Sequence, residues 1–161
     1  MIPIEKVVTG YKRNSWIINK QVEGLSDEDG LLQLPFRGNC LNWVLAHVIV
    51  YRDEVINAFG EEGFLTPEQV ARYEYDSEPV TEMGEHIIPL TKQVDIFNKQ
   101  DELMLRLIEE AEEAKLNEEV DYAGTTGPIW DMVFYFYFHD TYHTGQFEYL
   151  RQLAGKDDKV I

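Results

Sequence analysis

Four long segments of this chain repeat apolar residues at the three- and four-residue spacing of an amphipathic α-helix. In the first segment, Val7, Val8 and Tyr11 share one face and leave Glu5 and Lys12 on the other. Glycine or proline stands near the ends of the segments, as expected where helices begin and end. The predicted helices run from about Pro3 to Val22, from about Asn39 to Phe59, from Pro89 or Thr91 as far as Ala111, and from Pro128 to just before Gly155.

The segments between these helices predict loops. From Glu61 to Glu85 the apolar pattern weakens, and only Thr66–Gln69 has the capping-box spacing and the proline of a helix start. No stretch of useful length alternates apolar and polar residues as a strand does. Four long helices joined by moderate loops predict an all-α four-helix bundle. A length of 161 residues is usual for one domain, which we expect to span 1–161.

The charge balance and the cysteine count exclude several classes of partner and site. Thirty Asp and Glu against fourteen Lys and Arg give a formal net charge of -16, which repels nucleic acid and anionic membranes. Cys40 is the single cysteine, so neither an internal disulfide nor a paired-thiolate zinc site is expected. The first twelve residues lack the pattern of a signal peptide, and no run of about 18 apolar residues appears. We therefore expect a cytoplasmic protein.

Three of the four histidines fall on predicted inward faces. His139 and His143 are four residues apart, so their imidazoles project from adjacent turns of one helix. His47 lies on the inward stripe of the second helix, from which a bundle can bring it to the same ion. His86 falls in a loop. Spacing alone leaves two interpretations open: a three-histidine metal site, or core histidines that bond to neighbouring side chains.

The residues around these histidines resemble those of a known family. The resemblance lies in two segments, Asn39–His47 (NCLNWVLAH) followed by Tyr51-Arg52-Asp53, and His139–Gln146 (HDTYHTGQ) continuing into Tyr149-Leu150-Arg151. Both are similar to motifs of the DinB/YfiT-like metalloenzyme superfamily, in the same order and at a similar spacing, so the resemblance covers essentially the whole chain. It implies an up-down-down-up four-helix bundle, a divalent metal ion held by His47, His139 and His143, and frequent homodimers.

The implied ion suggests a class of chemistry. Three neutral imidazoles with a free fourth position suit zinc or nickel, and iron and manganese also accept such ligands. The resemblance implies relatives that use a low-molecular-weight thiol as cosubstrate. The leading hypothesis is therefore an enzyme in which the ion activates a thiol or water for transfer to an electrophilic small molecule. The alternatives are a metal-dependent hydrolase, a non-catalytic bundle with a structural or vestigial ion, and a bundle without a metal.

Helical phase nominates a few further pocket residues. Tyr51 and Glu54 lie four and seven positions after His47, and Gln146 lies three after His143, so all three are weak candidates for catalytic or supporting roles. Each also has a purely structural interpretation, as a core aromatic, a solvated rim residue or an intrahelical partner. A set of aromatic side chains is expected to fill the interior, with part of it shaping a pocket: Trp43, Trp130, Phe134, Phe136, Tyr137 and Phe138.

Overall fold

The computed structural model describes residues 3–160, which are mostly helical. In chain order, the helices are α1 (Ile4–Val22), α2 (Leu41–Ala58), α3 (Pro67–Tyr73), α4 (Leu90–Glu110), α5 (Glu113–Leu116) and α6 (Ile129–Leu153), with one 3₁₀ turn at Asp29–Leu31. Two short strands, β1 (Glu119–Tyr122) and β2 (Thr125–Pro128), pair antiparallel. Within residues 3–160, no helix is both long enough and apolar enough to cross a membrane.

The long helices α1, α2, α4 and α6 lie where the apolar periodicity predicts them. Gly24, Gly60 and Gly155 follow the ends of α1, α2 and α6 with φ angles of 74°, 91° and 76°, the left-handed conformation that glycine adopts at many helix ends. The short helix α3 also begins as predicted. The Thr66 hydroxyl accepts a bond from the backbone N–H of Gln69, and the Gln69 side chain accepts one from the backbone N–H of Thr66. Local sequence signals therefore set most helix ends.

The β1–β2 hairpin corrects the expectation that the chain has no strand. Pro128, at which the last helix is predicted to begin, ends β2 instead, and the helix begins one residue later, at Ile129. Each strand has only four residues, which are too few for an alternating pattern to stand out. Ala123 and Gly124 form the turn with positive φ angles of 47° and 77°. This backbone suits a two-residue hairpin, but alanine is not among the residues that usually signal it.

Helix α2 is buried on almost all sides rather than along one stripe. Fourteen of its 18 residues are buried, because α3, α4, α6 and the 3₁₀ turn all pack against it. The helical periodicity predicts an inward stripe of Trp43, Val44, His47, Tyr51 and Ala58. The first three are buried and the last two half-buried, but Leu45 and Val48, which lie outside that stripe, are also buried. An inward stripe was therefore too narrow a description of this helix.

The four long helices contact one another in a closed cycle. Helices α1 and α2 each pack against both α4 and α6. Two clusters of buried apolar side chains fill the interior, one that includes Tyr73 at the end of α3 and one against which the hairpin packs, and Tyr51 borders both. This arrangement brings the middle of α2 against the middle of α6.

A fully buried arginine on α2 bonds to the other three long helices. Arg52 donates from Nε and Nη2 to the two carboxylate oxygens of Asp140 on α6, at 3.1 and 2.8 Å, and from Nη1 to Asp101 on α4, at 2.9 Å. Its Nη2 also donates to the Ser15 hydroxyl on α1, at 3.0 Å, and its guanidinium lies 4.2 Å from the ring centre of Phe97. Burial by itself lowers the pKa of Arg52, but the two carboxylates outweigh it and the pKa is raised. The guanidinium therefore stays charged and its position is fixed from several directions.

We predict that Arg52→Ala lowers the free energy of unfolding by about 3–5 kcal/mol, because it leaves the buried carboxylate of Asp140 without its cation. Chemical denaturation monitored by circular dichroism measures the change. The control is Lys12→Ala, which breaks a shorter but exposed ion pair between Lys12 and Glu109 at 2.6 Å and should cost less than about 1 kcal/mol. Similar losses in the two variants would contradict the role assigned to Arg52.

Candidate metal centre

Helices α2 and α6 bring three imidazoles to one point. Nε2 of His139 lies 3.2 Å from Nε2 of His47 and 3.1 Å from Nε2 of His143, and ligand atoms of the three residues all lie within 4.8 Å of one another. Nitrogens that bind one zinc ion at about 2.0–2.1 Å in tetrahedral directions are about 3.3 Å apart. The spacing of the three nitrogens therefore fits a single ion.

Hydrogen bonds orient two of the three rings. Nδ1 of His47 lies 2.6 Å from the backbone carbonyl of Tyr73, the last residue of α3. Nδ1 of His143 lies 2.8 Å from the side-chain oxygen of Gln146. Because both partners are acceptors, each Nδ1 carries the proton and each Nε2 presents its lone pair to the centre. Metal-binding histidines are usually oriented in this way by a bond to their second nitrogen.

Burial keeps the three imidazoles neutral. Loss of solvent lowers the pKa of His47 to about 4, although the Tyr73 carbonyl acts in the opposite direction. Loss of solvent, with the neighbouring His143 and His47, lowers the pKa of His139 to about 3. Burial also lowers the pKa of His143. A neutral imidazole is the form that binds a metal ion, so at neutral pH no proton has to leave these rings first.

Aromatic rings hold the triad in place. Trp43, one turn before His47, stacks on its imidazole with ring centres 4.3 Å apart and an angle of 21° between the planes. The Tyr51 ring, one turn after His47, meets the His47 and His139 rings edge-on at 4.9 and 4.6 Å. These contacts restrict rotation of the rings that would hold an ion.

The three further candidates named from helical phase lie in different places. Gln146 bonds to His143, and Tyr51 lies against two of the histidine rings. Glu54 instead lines a separate cleft beside the hairpin, where burial and the nearby Glu74 raise its pKa. The structure therefore brings Gln146 and Tyr51 to the triad but not Glu54.

Two supporting groups had no clear signal in the sequence. The Tyr73 carbonyl belongs to the backbone, so its bond to His47 depends only on where α3 ends. The Tyr73 hydroxyl fixes that end by donating to the Asn42 side chain and accepting from the Ile88 backbone N–H. Asp140, between the two histidines of α6, pairs with Arg52. The sequence did offer one signal for this pair: Arg52 stands in the otherwise largely apolar helix α2, and a buried arginine implies a buried acidic partner.

The aromatic residues of α6 do not all face the interior. Phe136 is buried as expected, but Phe134 and Phe138 are 40% and 64% exposed. This corrects the expectation that Phe134 fills the interior, whereas Phe138 belongs to the part of the aromatic set that shapes a pocket. Phe138 lines a cleft of about 760 Å³ that reaches all three histidines. The site is therefore open on one side, and Arg52 and Asp140 lie buried in the interior on the other.

Comparisons with known proteins establish the fold but no family. Neither the models of known protein families nor the curated protein sequences match this chain. A crystal structure described as that of a conserved protein from Enterococcus faecalis is similar, with a TM-score of 0.69 over 97% of this chain and 99% of that chain. The two sequences are 16% identical, so this likeness concerns the fold alone.

We predict that the chain, purified without a metal-affinity tag, carries or takes up about one divalent ion, and that His143→Asn abolishes this binding because it removes one of three ligands. Elemental analysis measures the ion content. Gln146→Ala should weaken binding by about 10- to 100-fold, since it removes the group that orients His143.

The matched control for this experiment is His86→Asn. His86 is the histidine outside the triad, and its φ of 63° is one that asparagine tolerates. Undiminished ion content in His143→Asn, or an equal loss in His86→Asn, would remove the triad as the binding site.

We also predict that the metal-free chain loses stability as the pH falls from about 7 towards 4. The unfolded imidazoles take up protons near a pKa of about 6.5, whereas His47 and His139 resist protonation down to about 4 and about 3 in the folded state. The unfolded state therefore binds more protons over this range. Urea denaturation at a series of pH values measures the effect.

The double variant His47→Asn/His139→Asn should show a shallower dependence on pH. The buried carboxyls Asp53 and Glu54, whose pKa values burial raises, act in the opposite direction but are common to both proteins. Parallel curves for the two proteins would contradict the low pKa values of the triad.

Proposed function

We propose that this chain is a metalloenzyme of the DinB/YfiT-like superfamily that transfers a small thiol to an electrophilic small molecule. The observation that carries the proposal is the convergence of three Nε2 atoms from His47, His139 and His143, two of them oriented by bonds to the opposite ring nitrogen. The motif resemblance described above concerns the same three residues. Zinc and nickel are the favoured ions, with iron and manganese as alternatives.

The helix order expected of that superfamily is part of the proposal. Polar contacts pair Asn14 with Thr141, and Arg151 with the carbonyl of Gln21, so residue numbers rise together along α1 and α6. Several further pairs bear on the other helices: Lys12 with Glu109, Asn19 with Asn98, Asn42 with Ile88, and Gln100 with Ile49. The first two pairs support an antiparallel arrangement of α1 and α4, and the last two support a parallel arrangement of α2 and α4. Together with the parallel α1 and α6, these directions support an up-down-down-up bundle.

An enzyme is favoured over a structural ion by the openness of the site. Among residues 3–160, no fourth His, Cys, Asp or Glu joins the three histidines. Structural zinc sites are usually closed by four protein ligands, whereas catalytic sites keep one position free. The cleft is lined by all three histidines, so a second reactant can reach them. Pairing of two copies stays a prediction of the resemblance.

Different residues of the chain would have different roles in such a metal site. The three imidazoles would hold the ion, the Tyr73 carbonyl and Gln146 orient two of them, and the rings of Trp43 and Tyr51 pack against His47. When bound, a divalent ion lowers the pKa of a thiol or water at its free position and so supplies a nucleophile at neutral pH. The cleft admits the second reactant.

We predict metal-dependent conjugation when the ion-loaded chain is mixed with a panel of small thiols and a chlorinated nitroaromatic compound. Turnover should exceed the uncatalysed rate for at least one thiol, should disappear in His139→Asn, and should persist in His86→Asn. Absorbance of the conjugate measures it. An ion-loaded chain that shows no turnover with any thiol would contradict the transferase, and ester hydrolysis without thiol would favour the hydrolase alternative.

A further inference from the structure

The cleft that reaches the histidines is lined by seven Phe, Tyr and Trp side chains besides the three imidazoles. Tyr142 and Tyr149 line it from α6, and Phe36 and Tyr75 line it from the segments that precede α2 and follow α3. All four are more than 60% exposed. Large apolar rings cost free energy when they face water, and their concentration around one concave site is typical of a ligand pocket. A volume of about 760 Å³ lies within the range of pockets that enclose whole small molecules.

The charge of this cleft is opposite to that of the molecule. The chain has 30 acidic residues, yet none of the described residues that line the cleft is Asp or Glu, and Arg37 is its only Lys or Arg. By contrast, the cleft beside the hairpin includes Glu54 and Asp121. No carboxylate within residues 3–160 pairs with Arg37. Its guanidinium is therefore available to an anionic group of a ligand.

We propose that the cleft binds a flat aromatic molecule with one anionic group, such as a carboxylate, with its ring among the cleft aromatics and its anion on Arg37. This inference names the substrate class of the metal centre, and in that sense it rests on the proposed function. Stacking supplies contact with any flat ring. The guanidinium adds selection for a planar anion, which it can meet with two parallel N–H bonds.

The test compares two probes of nearly equal shape, 2-naphthoate and the neutral 2-naphthamide. Isothermal titration of the full chain gives both dissociation constants, once with equimolar zinc and once with a chelator. With the chelator present, naphthoate should bind about two- to fivefold more tightly than naphthamide, the range expected of an ion pair that stays partly exposed. Arg37→Gln should bring this ratio to about one. The control Arg106→Gln changes an exposed arginine on α4 outside the cleft and should leave the ratio unchanged.

A pair of phenylalanine variants tests the aromatic part. Phe134 and Phe138 lie one turn apart on α6 and both are exposed, but only Phe138 lines the cleft. Phe138→Ala should weaken binding of both probes severalfold, whereas Phe134→Ala should not. Because neither ring is in the core, neither substitution should unfold the chain.

Three results would overturn the proposal: equal affinities for the two probes with the chelator present, a ratio that survives Arg37→Gln under that condition, or equal effects of the two phenylalanine variants. A preference for naphthoate only with zinc would place the anion on the ion instead of Arg37. Because the chelator arm needs no ion, a chain that binds no zinc would overturn the proposed function and leave this test intact. A chain that binds zinc but does not discriminate between the probes would overturn this ligand proposal and leave the proposed function standing.

Discussion

The buried ion pair between Arg52 and Asp140 is the constraint on which the position of the metal centre depends. Asp140 directly follows His139 and precedes His143 by three positions, and successive residues of a helix point about 100° apart. The two bonds from Arg52 therefore set the rotation of α6 about its own axis. Arg52 lies five residues after His47 on α2. The same contact between two helices thus fixes both the charge pair and the convergence of the three rings.

Such a pair is a costly way to hold helices together. Two charges lose their hydration on burial, and the loss is balanced only when the geometry is good and the remaining donors are bonded. Here Asp101 and Ser15 accept further hydrogen bonds from the Arg52 guanidinium, and the Phe97 ring packs against the face of that guanidinium. We infer that the network is kept for the relative placement of the four helices, since a small shift of α6 would separate Nε2 of His139 from Nε2 of His47 on α2, which now lie 3.2 Å apart.

The two sides of the triad have opposite character. On the interior side, burial keeps the imidazoles neutral, the Tyr73 carbonyl orients His47, and the Tyr51 ring lies edge-on against His47 and His139. On the other side lies an open cleft with exposed aromatic rings and a single arginine. A rigid, dry support behind reactive groups and an accessible space before them is the arrangement that binding and catalytic sites need. It also explains why exposed rings on α6 coexist with an interior that is otherwise well packed.

The sequence by itself determined the long helices and the capped start of α3, because each of these follows from local spacing or from a few adjacent residues. Spacing also pointed to His47, His139 and His143, but left open whether they bind a metal ion or are core histidines. The β1–β2 hairpin was not predicted, because its strands are short and its turn contains alanine. The burial of α2 on nearly all sides, the bond from the Tyr73 carbonyl, the partnership of Arg52 and Asp140, and the acid-free cleft around Arg37 were decided only by tertiary structure. Each of them joins residues far apart in the chain, and spacing along one helix carries no information about which side chain of another helix will meet it.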